Sequence, residues 1–260
     1  MILSLIALLL YVGSALAIYG NRPGWIERTL PAPALALHLL ALSQHVFQGD
    51  AVTIGINEAV SLFVWQSAAL LWLMCFREPL RMMGAAVYPL AGVVAVLAAA
   101  WPTPVSELSV TGWKARSHIV LSLFSAGLLT LAAVQALLLA SQDRLLHGRS
   151  MSRLANALPP LQTMERLLFQ LIAIGFALLS LTLLSGLWFI RDWLAQHLAH
   201  KTVLSVTAWL IFGVLLWGRL RHGWRGRTAI RWTLAGYMML VLAYFGSKLV
   251  LEQLLGRHWS

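Results

Sequence analysis

Long apolar stretches alternate with short polar connections along the whole chain. Each stretch is long enough, or nearly so, to cross the hydrocarbon core of a bilayer, which takes about 20 helical residues. Backbone groups in lipid have no water to bond, so spanning segments of this kind must be helices. The pattern therefore predicts an all-α, polytopic membrane helix bundle with about eight transmembrane helices. We expect them near residues 1–19, 32–48, 56–76, 83–101, 117–140, 167–190, 203–218 and 232–250.

The connections between these stretches leave no room for a separate soluble domain. The longest of them, residues 141–166, has about 26 residues, and no low-complexity tract interrupts the apolar pattern. We therefore expect one integral membrane domain over residues 1–260.

Composition supports a membrane protein and removes one competing class. The chain is 60% hydrophobic and 11% charged, with a mean hydropathy of +0.78, whereas soluble domains are about 25% charged. A net charge of +10 would suggest a nucleic-acid partner in a soluble protein. Here the bases lie between apolar stretches, as topology signals do, so we predict a multi-pass protein of the bacterial inner membrane with no nucleic-acid partner.

The bases also predict an orientation. Of the 19 lysines and arginines, 13 fall in connections on one side of the predicted bundle and 6 on the other. The richer side should face the cytoplasm, which puts both termini outside. The 13 are Arg22, Arg28, Arg77, Arg81, Arg144, Arg149, Arg153, Arg166, Arg219, Arg221, Arg225, Arg227 and Arg231.

The first stretch, "MILSLIALLLYVGSALA", has two interpretations. Its apolar core and its ending of small residues resemble a signal peptide, but it lacks a basic beginning. Cleavage would also place Arg22 and Arg28 outside, against the charge bias. We expect a retained first helix.

Few polar side chains fall within the apolar stretches, and these are the candidates for function because burying them in lipid is costly. His38 lies near the middle of the second predicted helix and His45 near its outer end. Seven residues separate them, so they share one helix face about 10 Å apart. His118 begins the fifth helix at the outer side, and Asn57 with Glu58 begins the third.

Neutral imidazoles on helix faces can ligate a metal ion or a haem iron. The alternative is that each histidine only bonds a carbonyl across a helix interface, and the pattern leaves both open. His197, His200 and His222 are expected to lie on solvated surfaces. The chain has no GxSxG, P-loop, HExxH or CxxC motif and a single cysteine, so no enzyme activity is predicted.

Several stretches resemble the cytochrome c assembly family of membrane proteins related to CcsA, and most closely its short YpjD-like branch. "SHIVLSLFSAGLLTLAAVQALLL" at 117–139 and "LPPLQTMERLLFQLIAIGFALLSLTLLSG" at 158–186 carry this resemblance. So do "TAWLIFGVLLWGRLRHGWRGRTAIRW" at 207–232 and "LAYFGSKLV" at 242–250, with a fainter match in "NEAVSLFVW" at 57–65.

The resemblance implies a haem-binding protein that assists assembly of cytochrome c or a related haem protein. His118 matches a family axial ligand and His38 is similar to its membrane-embedded histidine, so these two would ligate the haem iron. A ligating histidine needs an acceptor on its other ring nitrogen, which Asn57, Glu58 or Gln66 could supply. The full cofactor-binding set that we predict is His118, His38, His45 as a substitute ligand, Glu58, Trp65 and Trp188.

The chain also departs from the larger family members. They carry an outer tryptophan-rich segment where this chain has only "IRDWLAQHLAHK", and a second outer histidine with no counterpart here except the unaligned His258. Haem binding is therefore implied more directly than haem delivery to an apocytochrome. The implied partners are the bilayer and other cytochrome assembly proteins or an apocytochrome. Two other classes stay open: a small-molecule or metal-ion transporter, and a non-catalytic membrane partner subunit.

Overall fold

A computed structural model describes residues 1–20, 23–48, 51–52, 56–76, 81–101, 113–147, 160–189 and 199–246. Contacts within the chain define two compact units, residues 1–110 (unit 1) and 111–260 (unit 2). The expectation of one membrane domain stays a prediction.

Unit 1 consists of helices with one small hairpin between them. Its elements are α1 (Ile2–Tyr19), α2 (Gly24–Thr29), α3 (Pro31–Val46), β1 (Phe47–Gln48), β2 (Ala51–Val52), α4 (Ile56–Met74) and α5 (Arg81–Ala100). The strands β1 and β2 pair antiparallel, with Phe47 opposite Val52.

Helix α1 packs closely along α5 because small residues line the contact. A Cβ atom added at Gly92 would lie 2.7 Å from Leu8 Cδ1 and 2.9 Å from Leu8 Cα. Membrane helices approach each other this closely only where side chains are small. Further along the same interface, the rings of Tyr11 and Tyr88 stack with centroids 6.0 Å apart. These contacts bury one face of α1 in the core of unit 1.

Unit 2 is built from two helical hairpins. Its elements are α6 (Trp113–His147), α7 (Leu161–Phe189), α8 (Ala199–His222), α9 (Gly226–Val241) and a π-helical turn, Leu242–Gly246, that continues α9. Helix α6 packs along α7 and α9, and α8 packs against α7, α9 and the π-helical turn.

Hydrogen bonds show that α6 and α7 run antiparallel. Ser125 Oγ donates to the carbonyl of Gly175 over 3.0 Å, and Gln135 Nε2 donates to the carbonyl of Met164, also over 3.0 Å. Moving forward along α6 therefore means moving backward along α7. The beginning of α6 consequently lies beside the end of α7.

The turn between α8 and α9 depends on two glycines. Gly223 and Gly226 have φ angles of +65° and +50°, in the left-handed region where side chains with a Cβ are strained. The backbone N–H of Gly226 donates to Glu165 Oε1 of α7 over 2.8 Å, which satisfies one free donor at the beginning of α9.

The predicted fold class is confirmed. In the described residues, eight longer helices coincide with the eight apolar stretches, and five of them are long and apolar enough to cross a membrane. Helices outlast the apolar stretches, since α6 continues to His147 and α7 already begins at Leu161. Hydropathy marks the part in lipid, whereas a helix continues into the polar zone. The short helix α2 and the β1–β2 hairpin were not predicted.

Candidate functional site

His118 lies in the second turn of α6, at the end of the hairpin where α7 finishes. Its Nδ1 atom is 2.8 Å from Ser185 Oγ in α7, and its side chain is half-buried. The antiparallel packing of the two helices brings these residues together although 67 positions separate them in the sequence.

The partner of Ser185 determines which nitrogen of His118 carries the proton. Ser185 Oγ donates its hydrogen to the carbonyl of Thr182 over 2.8 Å. A serine hydroxyl has only one hydrogen, so Ser185 must accept from His118 Nδ1–H. The other ring nitrogen, Nε2, then carries a lone pair, with which a neutral imidazole can ligate a metal.

A cavity of about 300 Å³ adjoins this histidine. Pockets for small ligands begin at about this size and are mostly apolar with a few polar groups. Five of its thirteen lining residues are leucine, valine or alanine. Five more carry hydroxyls, and Lys201 supplies a cation; the hydroxyls are those of Ser122, Thr182, Thr202, Ser205 and Tyr244. The glycine at 186 also matters, because a Cβ there would lie 3.3 Å from His118 Cε1 and crowd the ring.

His38 has a different environment, in the core of unit 1. Its side chain is 1% exposed. Nε2 is 2.9 Å from Ser61 Oγ in α4, and Nδ1 is 3.4 Å from the hydroxyl of Tyr11 in α1. Both ring nitrogens are therefore engaged, and ligation of a metal would require one of these bonds to break.

Glu58 is the one other predicted site residue that lines a cavity together with His38. Its side chain is 5% exposed. With Ser4 and Ser61, the two residues border a space of about 10 Å³, roughly the volume that one water molecule needs. Unit 1 thus holds a small polar cluster in its core.

The remaining predicted residues are distributed over both units. Trp65 Nε1 donates to the carbonyl of Leu35 over 2.9 Å, which joins α4 to α3. Trp188, at the end of α7, is 84% exposed and does not line the 300 Å³ cavity. His45 lies in the last turn of α3, and its side chain is outside the described residues.

The acceptors that we expected beside the histidines are Asn57, Glu58 and Gln66, but both histidines bond to hydroxyl groups. Asn57 Nδ2 donates to the carbonyl of Trp101, and the buried amide of Gln66 has no hydrogen-bond partner in the described part of the chain. The serines that contact the histidines were missed. For Ser185 the signal is the hairpin itself, which places the end of α7 beside the beginning of α6.

Across the residues that the structure describes, no three histidine, cysteine or carboxylate side chains come together to hold an ion. His118 belongs to unit 2 and His38 to unit 1.

These observations define a polytopic membrane helix bundle with a half-buried histidine beside a partly open cavity. The sequence pattern of the family described as "Cytochrome C assembly protein" matches residues 32–255. The chain belongs to this family.

Curated relatives agree with that assignment. The chain is 33% identical to the "Inner membrane protein YpjD" of Escherichia coli (strain K12), over 96% of this chain and 97% of the relative. It is 25% identical to "Protein HemX" of Brevibacillus brevis, over 55% of this chain and 54% of that protein. It is also 25% identical to the "Cytochrome c biogenesis protein CcsA" of Trichormus variabilis (strain ATCC 29413 / PCC 7937), over 38% and 28% respectively.

No solved structure matches the chain. Together with the apolar helices, the relatives identify a multi-pass protein of the inner membrane. Family membership supports a role in the biogenesis of cytochromes c or of related haem proteins.

Proposed function

We propose that this protein binds haem at His118, in the cavity of unit 2, and that it uses this site to assist the assembly of cytochrome c or a related haem protein. The observation that carries the proposal is the hydrogen-bond chain from His118 Nδ1 through Ser185 to Thr182. It leaves Nε2 as a lone-pair donor on a residue that lines the cavity.

The residues of the cavity suit a haem chemically. Iron in haem has four porphyrin nitrogens and takes its axial ligands from side chains such as histidine. The porphyrin is apolar and carries carboxylates at one edge, and the cavity offers three leucines for the apolar part and a lysine for the carboxylates. When bound, haem supplies a redox-active iron, and it is the group that cytochromes c receive.

In this proposal each residue has a separate task. His118 Nε2 provides the ligand, and Ser185 keeps the proton on Nδ1 and holds the ring orientation. Lys201, at the beginning of α8, provides positive charge for a carboxylate. The apolar side chains would contact the porphyrin.

His38 stays a predicted ligand, and its test differs from that of His118. Its two hydrogen bonds also explain a purely structural role, in which the imidazole joins α1, α3 and α4. A spectral change in His38→Ala beyond that of Ser61→Ala would favour ligation. Equal loss of stability with no spectral change would favour the structural role.

The direct test titrates haem into the purified protein and follows its Soret absorption. Wild-type protein should bind haem, and His118→Ala should lose the haem or shift its bands, because axial ligation sets the spin state of the iron. Free imidazole should partly restore the spectrum, since it fits the space that the side chain leaves. His222→Ala is the matched control, because His222 is exposed in the last turn of α8, packs against the rings of Trp217 and Trp224, and does not line the cavity.

Two results would contradict haem binding at this site. One is wild-type protein, supplied with ample haem, that shows no Soret band. The other is an unchanged spectrum in His118→Ala. If haem binds but His118→Ala still restores cytochrome c levels in cells lacking the protein as well as wild type does, the assembly role of the site is wrong while haem binding stands.

A further inference from the structure

An open groove lies between α7 and α8, at the end of unit 2 where α8 turns into α9. Its volume is about 700 Å³. We call it the arginine groove, because three arginines and three apolar side chains define its chemistry. These are Arg166, Arg219, Arg225, Phe169, Leu216 and Leu220.

The arginine groove carries an excess of positive charge. Glu165 is the one carboxylate among the residues that line it. Its Oε1 atom accepts the backbone N–H of Gly226 over 2.8 Å, and its Oε2 atom is 3.8 Å from Arg225 Nε. Three guanidinium groups thus face one carboxylate that already has a structural task, so the groove should attract an anion.

Two contacts hold the central arginine in place before any ligand arrives. Arg219 Nη1 donates to the carbonyl of Trp224 over 3.1 Å, and its guanidinium carbon lies 4.6 Å from the centre of the Phe169 ring. An arginine that is oriented in this way loses less side-chain entropy on binding, and its planar donors match a phosphate. The side chain of Arg225 is 66% exposed and can reach a ligand at the mouth.

The apolar part of the groove indicates what kind of anion it takes. Leu220 is 84% exposed, although it lies beside three charged groups. The segments Leu161–Trp188 and Lys201–His222 are both apolar enough to cross a membrane. The arginines therefore lie near the ends of two spanning helices, at the depth of lipid headgroups, while the apolar residues continue toward the acyl chains.

We propose that the arginine groove is a binding site for an anionic phospholipid. The arginines contact its phosphate, and Leu216, Leu220 and Phe169 contact the beginning of its acyl chains. Basic pockets between membrane helices are a general means of retaining such lipids. A free anion would use the arginines but would make no contact with the leucines.

The proposal differs from a simple role of these arginines in topology. A topology signal needs only positive charge, so lysine serves as well as arginine. A phosphate site also needs the planar fork of the guanidinium group, which lysine lacks. Exchange of arginine for lysine therefore separates the two roles.

The test uses full-length protein purified in detergent and stripped of lipid. Phosphatidylglycerol and phosphatidylcholine of equal chain length are added separately, and bound lipid is counted by native mass spectrometry. Phosphatidylglycerol should bind more tightly and raise the melting temperature. Arg166→Gln, Arg219→Gln and Arg225→Gln together should weaken its binding about 100-fold, and Arg225→Gln alone about 5-fold.

The matched control is Arg221→Gln, because Arg221 lies in the same charged turn but does not line the groove. It should bind phosphatidylglycerol like wild type. The triple change to lysine should keep the orientation of the protein in the membrane and still weaken the binding of phosphatidylglycerol. If the triple glutamine variant does not fold, the single Arg225→Gln variant and the lysine variant decide the matter.

Three results would overturn the proposal. Equal binding of phosphatidylcholine and phosphatidylglycerol would show that the charge of the lipid plays no part in binding. Equal loss in Arg221→Gln would show a diffuse electrostatic effect rather than a site. Competition by inorganic phosphate at the same concentration as the lipid would show a site for a free anion.

Discussion

Replacement of Ser185 by alanine tests the geometry around His118 without touching the proposed ligand itself. The wild-type hydroxyl accepts His118 Nδ1–H over 2.8 Å and donates onward to Thr182. Alanine removes the acceptor, so the ring can rotate and exchange tautomers. Loss of such an outer partner typically weakens a metal site about 10- to 100-fold, which corresponds to about 1.4–2.7 kcal/mol.

The assay is a haem titration of Ser185→Ala, followed by absorption at several haem concentrations. We expect a dissociation constant that rises by that factor while the bound spectrum keeps its bands, because the iron ligand is still present. Ser185→Thr retains the hydroxyl and should recover most of the affinity. Ser141→Ala is the matched control, since Ser141 in α6 is exposed and its hydroxyl bonds only to the carbonyl of Leu137 in its own helix.

Wild-type affinity in Ser185→Ala would refute the tautomer argument. Equal weakening in Ser141→Ala would refute it as well, because the effect would then come from a general loss of helix stability.

Three further predictions concern the fold. Ser61→Ala leaves Nε2 of the buried His38 without a partner and should cost about 1 kcal/mol in thermal unfolding; an unchanged melting temperature would contradict the bond. Gly92→Ala forces a Cβ against Leu8 and should cost about 1–3 kcal/mol, whereas Gly24→Ala, with nothing within 4 Å, should not. A reporter fused into the connection between α8 and α9 should read cytoplasmic and one at the C-terminus external, and the reverse would contradict the charge rule.

Much of the fold could be predicted because the bilayer imposes it. A run of apolar residues of spanning length has only one structural solution in lipid, so the eight helices follow from hydropathy. Their ends could not be predicted in the same way. The end of α6 and the beginning of α7 are polar and remain helical, and α2 lies in a connection where hydropathy carries no signal.

The candidate site could be predicted only in part. His118 was singled out as a polar residue at the beginning of an apolar stretch, and it does line a cavity. Its bond to Ser185 depends on the rotation and the vertical register of two helices, which hydropathy does not determine. The same holds for His38, whose partners Tyr11 and Ser61 come from two other helices.

Trp188 has an explanation that does not require a cofactor. Tryptophans are frequent at the ends of membrane helices, where the interface itself accounts for them. We also expect it to line or orient the pocket, and the ring is 84% exposed at the end of α7. Its place in the cofactor-binding set stays a prediction.

The most direct measurement detects the bond between the iron and a histidine nitrogen. Haem-loaded protein is prepared with histidine labelled with ¹⁵N. The hyperfine coupling between the ¹⁵N nucleus and the iron is then recorded by electron–nuclear double resonance. We expect heavy-nitrogen coupling in wild type, and we expect His118→Ala rescued with ordinary imidazole to keep the absorption bands while this coupling falls. Coupling that persists undiminished in the rescued variant, or that is absent from wild type, would contradict ligation by His118.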